Sequence, residues 1–369
     1  MGHGMWPYAD FPFEYLPLSI LSFALPPVGG TQAAYEHWFS VQMILLDVVT
    51  AVATVAAATR IWPGLRRPLA AAVAFAVLVV ADGAIAVNRF DGIVALVLAI
   101  ALLCIVHRRW TDAGVVLGLG FALKLMPLVV VPLVLVLART RRRVFWALSA
   151  ALLAAAIPFV PFILHDAAGE RANLLGGQVA RGLQIESAAA APYLVAQLLR
   201  PGAIQVISPP GGSLTVSSAG TSLVESLARL TVLVLSAIVY AGVWRSRDAL
   251  RASNEGIPVT MLAAILATMV GNKVLSPQHL LWLLPLIAVC LVGRRWMNQA
   301  VGALLLLALV LTQVEYPQMY LRQLRLDPVP LAVISARNAV LVVAFVLAVV
   351  SVWRLRRRDT AALPSPHVL

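Results

Sequence analysis

One of the two lysines in this 369-residue chain stands where an ammonium group is costly. Lys124 interrupts "LGLGFALKLMPLVVVPLVLV" (Leu117–Val136), an otherwise apolar run, with Pro127 three residues on. An unpaired lysine at bilayer depth costs about 3 kcal/mol on insertion scales. Lys124 therefore either lines a polar cavity or snorkels to the membrane interface. Other ionisable and amide groups gather at the ends of apolar runs. Arg89 and Asp91 flank Phe90, with Asp82 two turns below. Arg181, Gln184 and Glu186 follow one another closely, and Lys273 precedes Ser276, Pro277, Gln278 and His279. Asp10 and Glu14 lie in "MWPYADFPFEYLPL". Such groups exchange protons and pair with anions. They do not make a metal centre, because His107, His165 and His279 lack ligand spacing and Cys104 and Cys290 sit inside apolar runs as inert thiols. No GxGxxG, Walker or HExxH pattern occurs, so neither a cofactor nor a metal is expected. Glu225 and Arg229, at i,i+4 on one helix, read as a structural salt bridge. Asp47, in mid-span, reads as pairing with another helix.

The elements that must position these groups are set by lipid. Hydrophobic residues make up 61% of the chain and charged residues 12%, and mean hydropathy is +0.90. No soluble domain buries that fraction. The net charge of +12 is thus a matter of sidedness and gives no reason to expect nucleic acid. Apolar runs predict spans near Trp38–Thr59, Pro68–Val87, Gly92–Val106, Phe145–Leu164, Leu223–Trp244, Pro258–Met269, His279–Val292, Ala300–Thr312 and Pro330–Trp353. Several are short for a core roughly 30 Å thick. Pro68, Pro258 and Pro330 mark helix starts, and Gly293 marks an end.

Arginine clusters assign the sides. Arg60, Arg66 and Arg67, then Arg108 and Arg109, then Arg139 and Arg141–Arg143, share one face. Arg245, Arg247 and Arg251, then Arg294 and Arg295, then Arg354 and Arg356–Arg358, fall on it too. By the positive-inside rule that face is cytoplasmic. The segment Thr111–Ala138 has basic clusters at both ends, so it crosses an even number of times or not at all. Its roughly 28 residues would make about 42 Å of straight helix, too long for one crossing. A hairpin of two half-helices turning at Lys124–Pro127 fits, since Pro127 lacks an N–H and disfavours helix at Met126. The fold class is therefore an all-α polytopic membrane protein with about nine spanning helices and a re-entrant hairpin. Acidic, aromatic and amide side chains concentrate in the opposite loops, which places an active site at the outer interface. In the longest of these, "LLGGQVARGLQIESAAAAPYLVAQLL" reads as one or two surface helices and "RPGAIQVISPPGGSLTVSSAG" as a flexible flap. "LPLSILSFAL" reads as a further interfacial helix.

Five stretches, in order, resemble one family. "PYADFPFEYLPLSILSFALP", "NRFDGIVALVLAIAL", "AGVVLGLGFALKLMPLVVVPLVL", "ARGLQIES" and "KVLSPQHLLWLLPL" are similar to blocks of glycosyltransferase family 87, integral-membrane enzymes of the GT-C superfold. The resemblance covers nearly the whole chain. It implies a GT-C-like bundle and inverting transfer of a hexose, such as mannose, from a polyprenyl-phosphate donor to an envelope glycolipid or glycan acceptor. The setting it implies is the outer face of a bacterial plasma membrane. Such transfer needs a general base for the acceptor hydroxyl and an environment that stabilises the departing phosphate. The resemblance thus makes Asp10, Asp91 and Glu186 the candidate catalytic carboxylates. Glu14, Arg89, Lys124, Arg181, Gln184, Lys273, Ser276 and Gln278 become candidate donor or acceptor ligands.

Two departures accompany it. Leu16 replaces the first of two family prolines after Tyr15. The family's first transmembrane helix, and the acidic residue just after it, precede the tyrosine–aspartate stretch, so Asp10 matches a later position. On that comparison the domain, residues 1–358 followed by a cytoplasmic tail over 359–369, is expected to be truncated at its N-terminus. A lipid-linked sugar transporter is the alternative reading, but it would show paired broken helices in corresponding halves, and only one hairpin is found. A catalytically inactive family member is the other.

Overall fold

The computed structural model describes residues 5–11, 13–26, 30–166, 169, 181–208 and 213–355. The tail over 359–369 and the arginines at 356–358 lie outside the described residues. The described residues are mainly helical, with one short β-hairpin. In order, the helices are α1 (Ile20–Ala24), α2 (Gln32–Ile61), α3 (Arg66–Asp82), α4 (Ala84–Asn88), α5 (Gly92–Val106), α6 (Trp110–Leu123), α7 (Val131–Leu137) and α8 (Arg141–Ala156). They continue with α9 (Ala191–Leu199), α10 (Thr221–Ala252), α11 (Ile257–Gly271), α12 (Leu284–Leu291), α13 (Trp296–Glu315), α14 (Tyr320–Gln323) and α15 (Pro328–Trp353). Helix satisfies every backbone polar group within its own segment, as a lipid environment demands.

Among the described residues, five helical segments are long and apolar enough to cross a membrane: Gln32–Ile61, Arg141–Asp166, Thr221–Ala252, Trp296–Glu315 and Pro328–Trp353. They leave large apolar side chains uncovered, among them Leu45, Val52, Leu152, Leu164 and Leu233. Facing lipid, that exposure carries no penalty. The short helices behave differently. Every residue of α11 from Ile257 to Ala267 is buried, as is α12 from Leu284 to Cys290. The short apolar runs are therefore short because neighbouring helices surround them.

Pro258 lies in the first turn of α11 and Pro330 in that of α15, which starts two residues earlier, at Pro328, where the Asp327 side chain accepts the Val329 N–H at 3.0 Å. The span expected over Pro68–Val87 is broken. Gly83 adopts φ +56°, which ends α3 after Asp82, and a Cβ there would meet Gln313 Oε1 at 2.7 Å. The short α4 then leads the chain to Arg89–Phe90–Asp91 at the start of α5.

The segment around Lys124 does turn back. α6 ends at Leu123, Lys124 is extended (φ −162°, ψ 140°), and a 3₁₀ turn over Met126–Val130 leads into α7. Trp110, which opens α6, and Leu137, which closes α7, line the same cavity, so both ends of the segment lie at one end of the bundle. α6 packs closely along α8. A Cβ at Gly114 would run into the Ala147 carbonyl oxygen, and one at Gly118 into that of Ala151. The register 114 to 147 and 118 to 151 makes the two helices parallel, joined through the small-residue contact that lets helix backbones approach.

A second core lies beyond the bundle end that carries Asp91 and Lys124. Leu183, Ile185, Leu194, Ile204, Leu214 and Val216 pack there against Leu331 and Ile334 of α15. The stretch expected to be a flap is in part an antiparallel hairpin, β1 (Gln205–Ile207) with β2 (Thr215–Ser217), paired Val206 to Val216. Apolar side chains facing that core order it despite the Pro, Gly and Ser content.

Two pairings expected from sequence are absent among the described residues. Glu225 does not bridge to Arg229, because its Oε1 accepts the Leu183 N–H at 2.9 Å and ties α10 to the outer segment. Asp47 finds no partner on another helix; its Oδ2 is buried without a hydrogen bond.

Candidate functional site

The site is assembled from ends of elements. Asp91 stands at the N-cap of α5, and Lys124 at the C-cap of α6, brought beside it by the turn before Pro127. Lys124 Nζ lies 2.5 Å from Asp91 Oδ1, and Trp282 Nε1 donates to the same oxygen at 2.6 Å. The ammonium sits 5.0 Å from the Phe90 ring centroid and 4.9 Å from that of Trp282, so two aromatic faces enclose it. Asp91 is 1% exposed, whereas the Lys124 side chain keeps 21%. The lysine is thus neither free in lipid nor snorkelling. It is an ion-paired cation with one open side.

A chain of polar contacts leads away from this pair. His279 stacks on Trp282 at 4.3 Å, and its Nδ1 accepts the Ser276 N–H at 3.2 Å. Ser276 and His279 form the capping box that starts the 3₁₀ segment Pro277–Leu283. Gln184 Nε2 donates to Ser276 Oγ at 3.1 Å and to Glu186 Oε2 at 2.8 Å, while its Oε1 accepts the Leu275 N–H at 3.0 Å. The Gln184 N–H donates to the Lys273 carbonyl at 3.0 Å. Residues 181–187 are therefore locked to the loop before Pro277.

Buried groups on α15 fix the same stretch from behind. Arg337 donates to the Glu186 carbonyl, and Asn338 Nδ2 to the Ser187 carbonyl at 2.9 Å. Burial, then the charge of Glu315 at the end of α13, holds the Glu186 carboxyl well above the carboxylate range. Among the described residues no N–H reaches Glu186 Oε1. Tyr15 packs edge-on against Phe90 at 4.9 Å. Burial, then the Asp91 carboxylate, raises its phenol above the ordinary value.

Of the residues singled out from sequence, Asp91, Lys124, Gln184, Glu186 and Ser276 come together. Lys273 and Arg181 join at the edge: Lys273 Nζ donates to the Arg181 carbonyl, and the Arg181 guanidinium lies 3.5 Å from Glu14, whose side chain is 64% exposed. Arg89 turns away, donating to the Tyr316 hydroxyl and stacking on its ring at 5.7 Å. Asp10 caps its own turn, accepting the Trp6 N–H at 2.6 Å, and makes no hydrogen bond or ion pair to the cluster. Gln278 is half-buried and makes no hydrogen bond among the described residues. Trp282, Glu315 and Arg337 escaped the sequence reading, and it named His279 and Tyr15 without making either a candidate site residue. A signal existed for Arg337, an ionisable residue inside an apolar run, which by default marks a polar or functional site. Among the described residues no group of three or more His, Cys, Asp or Glu side chains could hold a metal ion.

Long lipid-facing helices around short buried ones, with a paired lysine and carboxylates at one end of the bundle, define a polytopic membrane protein with a polar site at the bundle's edge. The model for glycosyltransferase family 87 matches residues 13–277, and the chain belongs to that family: it is a membrane glycosyltransferase. Neither curated proteins nor solved structures gave a match to this chain.

Proposed function

We propose that the protein transfers a hexose, in particular mannose, from a polyprenyl-phosphate donor to an envelope glycolipid or glycan acceptor at the outer face of a bacterial plasma membrane. The observation that carries this reading is the half-open Lys124–Asp91 pair. A phosphate headgroup whose polyprenyl tail stays in lipid would arrive at the depth of Lys124, which has an open side to receive it. Sharing Lys124 with the phosphate loosens its hold on Asp91 and frees that carboxylate to act as base. The acceptor hydroxyl oxygen then attacks the anomeric carbon, the carbon–oxygen bond to phosphate breaks, and the electron pair leaves with the phosphate. The hydroxyl proton goes to Asp91. The lipid phosphate passes from one negative charge toward two, and Lys124 offsets the added charge where water is scarce. Gln184, held by Ser276 and Leu275, keeps Glu186 oriented beside the path of the acceptor. Arg181 and Glu14, more exposed, form the outer rim.

The direct test supplies membranes containing the protein with radiolabelled polyprenyl-phosphate mannose and envelope glycolipid extract. Label should move into acceptor with inversion at the anomeric carbon. Label that crosses the bilayer while still attached to its polyprenyl carrier would instead establish a transporter.

A further inference from the structure

A second polar site lies at the opposite end of the bundle. A cavity of about 260 Å³ there is lined by Arg108, Trp110, Arg139, Arg143, Asp248 and Arg251, with Leu137 and Ala252 beside them. It is far from the Asp91–Lys124 pair: α5 has Asp91 at its start and reaches Val106, just before Arg108, after 15 residues, which is about 22 Å of helix. Four guanidinium groups meet one carboxylate, and that carboxylate already lies 3.4 Å from Arg251 Nη1. Arg139 and Arg143 have no ion-pair partner among the described residues. Arg108 donates only to the backbone carbonyls of Leu250 and Arg251, at 3.2 and 3.1 Å.

The donors are under-used as well as under-neutralised. Arg108 Nη1, Trp110 Nε1 and Arg251 Nε are buried without an acceptor, and all three belong to residues that line this one cavity. Buried donors are nearly always satisfied, so three around one space point to a missing acceptor. The backbone supports the same conclusion. Arg108 holds a left-handed φ of 61°, uncommon for a residue with a Cβ, where a helix end ordinarily uses glycine. Burial, then the neighbouring Arg60 and Arg251 charges, pushes the Arg108 guanidinium below its usual range, a repulsion that a bound anion would relieve.

We propose that this cavity binds a phosphate group, either the phosphodiester of an anionic lipid headgroup or free phosphate. Guanidinium forks match phosphate oxygens in pairs, which ammonium groups cannot do. The site stands among the arginine clusters that the positive-inside rule places at the cytoplasmic face, where anionic headgroups are abundant. Ala252, exposed at the edge of the cavity, leaves an apolar margin for the start of an acyl chain. The site is independent of the transfer chemistry at the other end, so its test does not depend on transferase activity.

The experiment uses the full chain purified in neutral detergent. Thermal melting and equilibrium binding are measured with short-chain phosphatidylglycerol, short-chain phosphatidylcholine, inorganic phosphate and chloride. Phosphatidylglycerol or phosphate should raise the melting temperature where phosphatidylcholine and chloride do not. Arg139→Gln combined with Arg143→Gln removes two exposed charges whose side chains make no hydrogen bond or ion pair among the described residues, and should weaken binding by at least about tenfold. Stabilisation by phosphatidylglycerol without phosphate identifies the lipid headgroup, and stabilisation by phosphate identifies the free anion. Indifference to both anions overturns the site, as does undiminished binding in the folded double variant. Arg108→Gln provides a second check, because its orphaned Nη1 belongs to the cavity itself.

Discussion

Replacing Lys124 with methionine keeps most of the side-chain volume and removes the charge. In the native chain Asp91 is 1% exposed, and among the described residues only Lys124 Nζ and Trp282 Nε1 donate to its carboxylate, at 2.5 and 2.6 Å. Breaking a fully buried ion pair costs about 3–5 kcal/mol, because a charge is left uncompensated. Lys124 retains 21% exposure, so water can partly take its place and the expected loss is about 2–3 kcal/mol. The double variant Lys124→Met with Asp91→Asn removes both charges, and should recover at least about 1 kcal/mol of that loss. Activity should follow a different course. Losing one charge-assisted contact to the donor phosphate is worth about 1.5–3 kcal/mol, roughly ten- to hundredfold in transfer rate. The double variant should stay inactive however stable it is. Lys124→Arg should also fail to restore transfer: the ammonium fits between ring centroids at 5.0 and 4.9 Å, whereas a planar guanidinium is wider and would displace Phe90 or Trp282. The assay is radiolabel transfer from polyprenyl-phosphate mannose, normalised to folded protein by gel filtration, with melting in the same detergent. Native transfer rates from Lys124→Met would remove the lysine from the phosphate site. A double variant no more stable than the single one would refute the ion-pair argument.

Three further expectations concern the frame around the site. Gly114→Ala places a methyl group against the Ala147 carbonyl oxygen and should destabilise the α6–α8 contact by about 1–3 kcal/mol, read as a lower melting temperature; an unchanged melt would mean the two helices can separate freely. Glu186, its carboxyl raised by burial and then by Glu315, keeps in the folded chain a proton that the unfolded chain releases above about pH 4.5, so stability should fall as the pH climbs through the raised value. Glu186→Gln should flatten that decline, and a slope identical to the native one would show that Glu186 contributes nothing to it. Cysteines placed at Thr111 and Thr140 should label from the same side of the membrane, and labelling from opposite sides would eliminate the turn at Lys124 as a re-entrant hairpin.

The sequence by itself determined the solvent, the helical class and most of the helix boundaries. A chain this apolar satisfies its backbone within helices, and Pro127, Pro258 and Pro330 lack the N–H that would carry a preceding helix through them. It also singled out Lys124 and Asp91, because ionisable groups in or beside apolar runs are costly unless they have work to do. The tertiary structure decided their partners. That Lys124 meets Asp91, 33 positions away, and that Trp282 completes the pair depends on how α5, α6 and the Pro277–Leu283 turn converge, which no local spacing encodes. The same holds for Glu225, whose i,i+4 neighbour Arg229 lost to a backbone N–H at Leu183 from a different segment. Gly83 turned one expected span into two helices because its left-handed backbone fits against Gln313 of α13, and a glycine within an apolar run does not announce that neighbour. Periodicity, composition and proline chemistry act over a few residues and can be read in order along the chain. Ion pairs, aromatic enclosure and orphaned donors arise where distant segments meet, and only the packed helices fix those meetings.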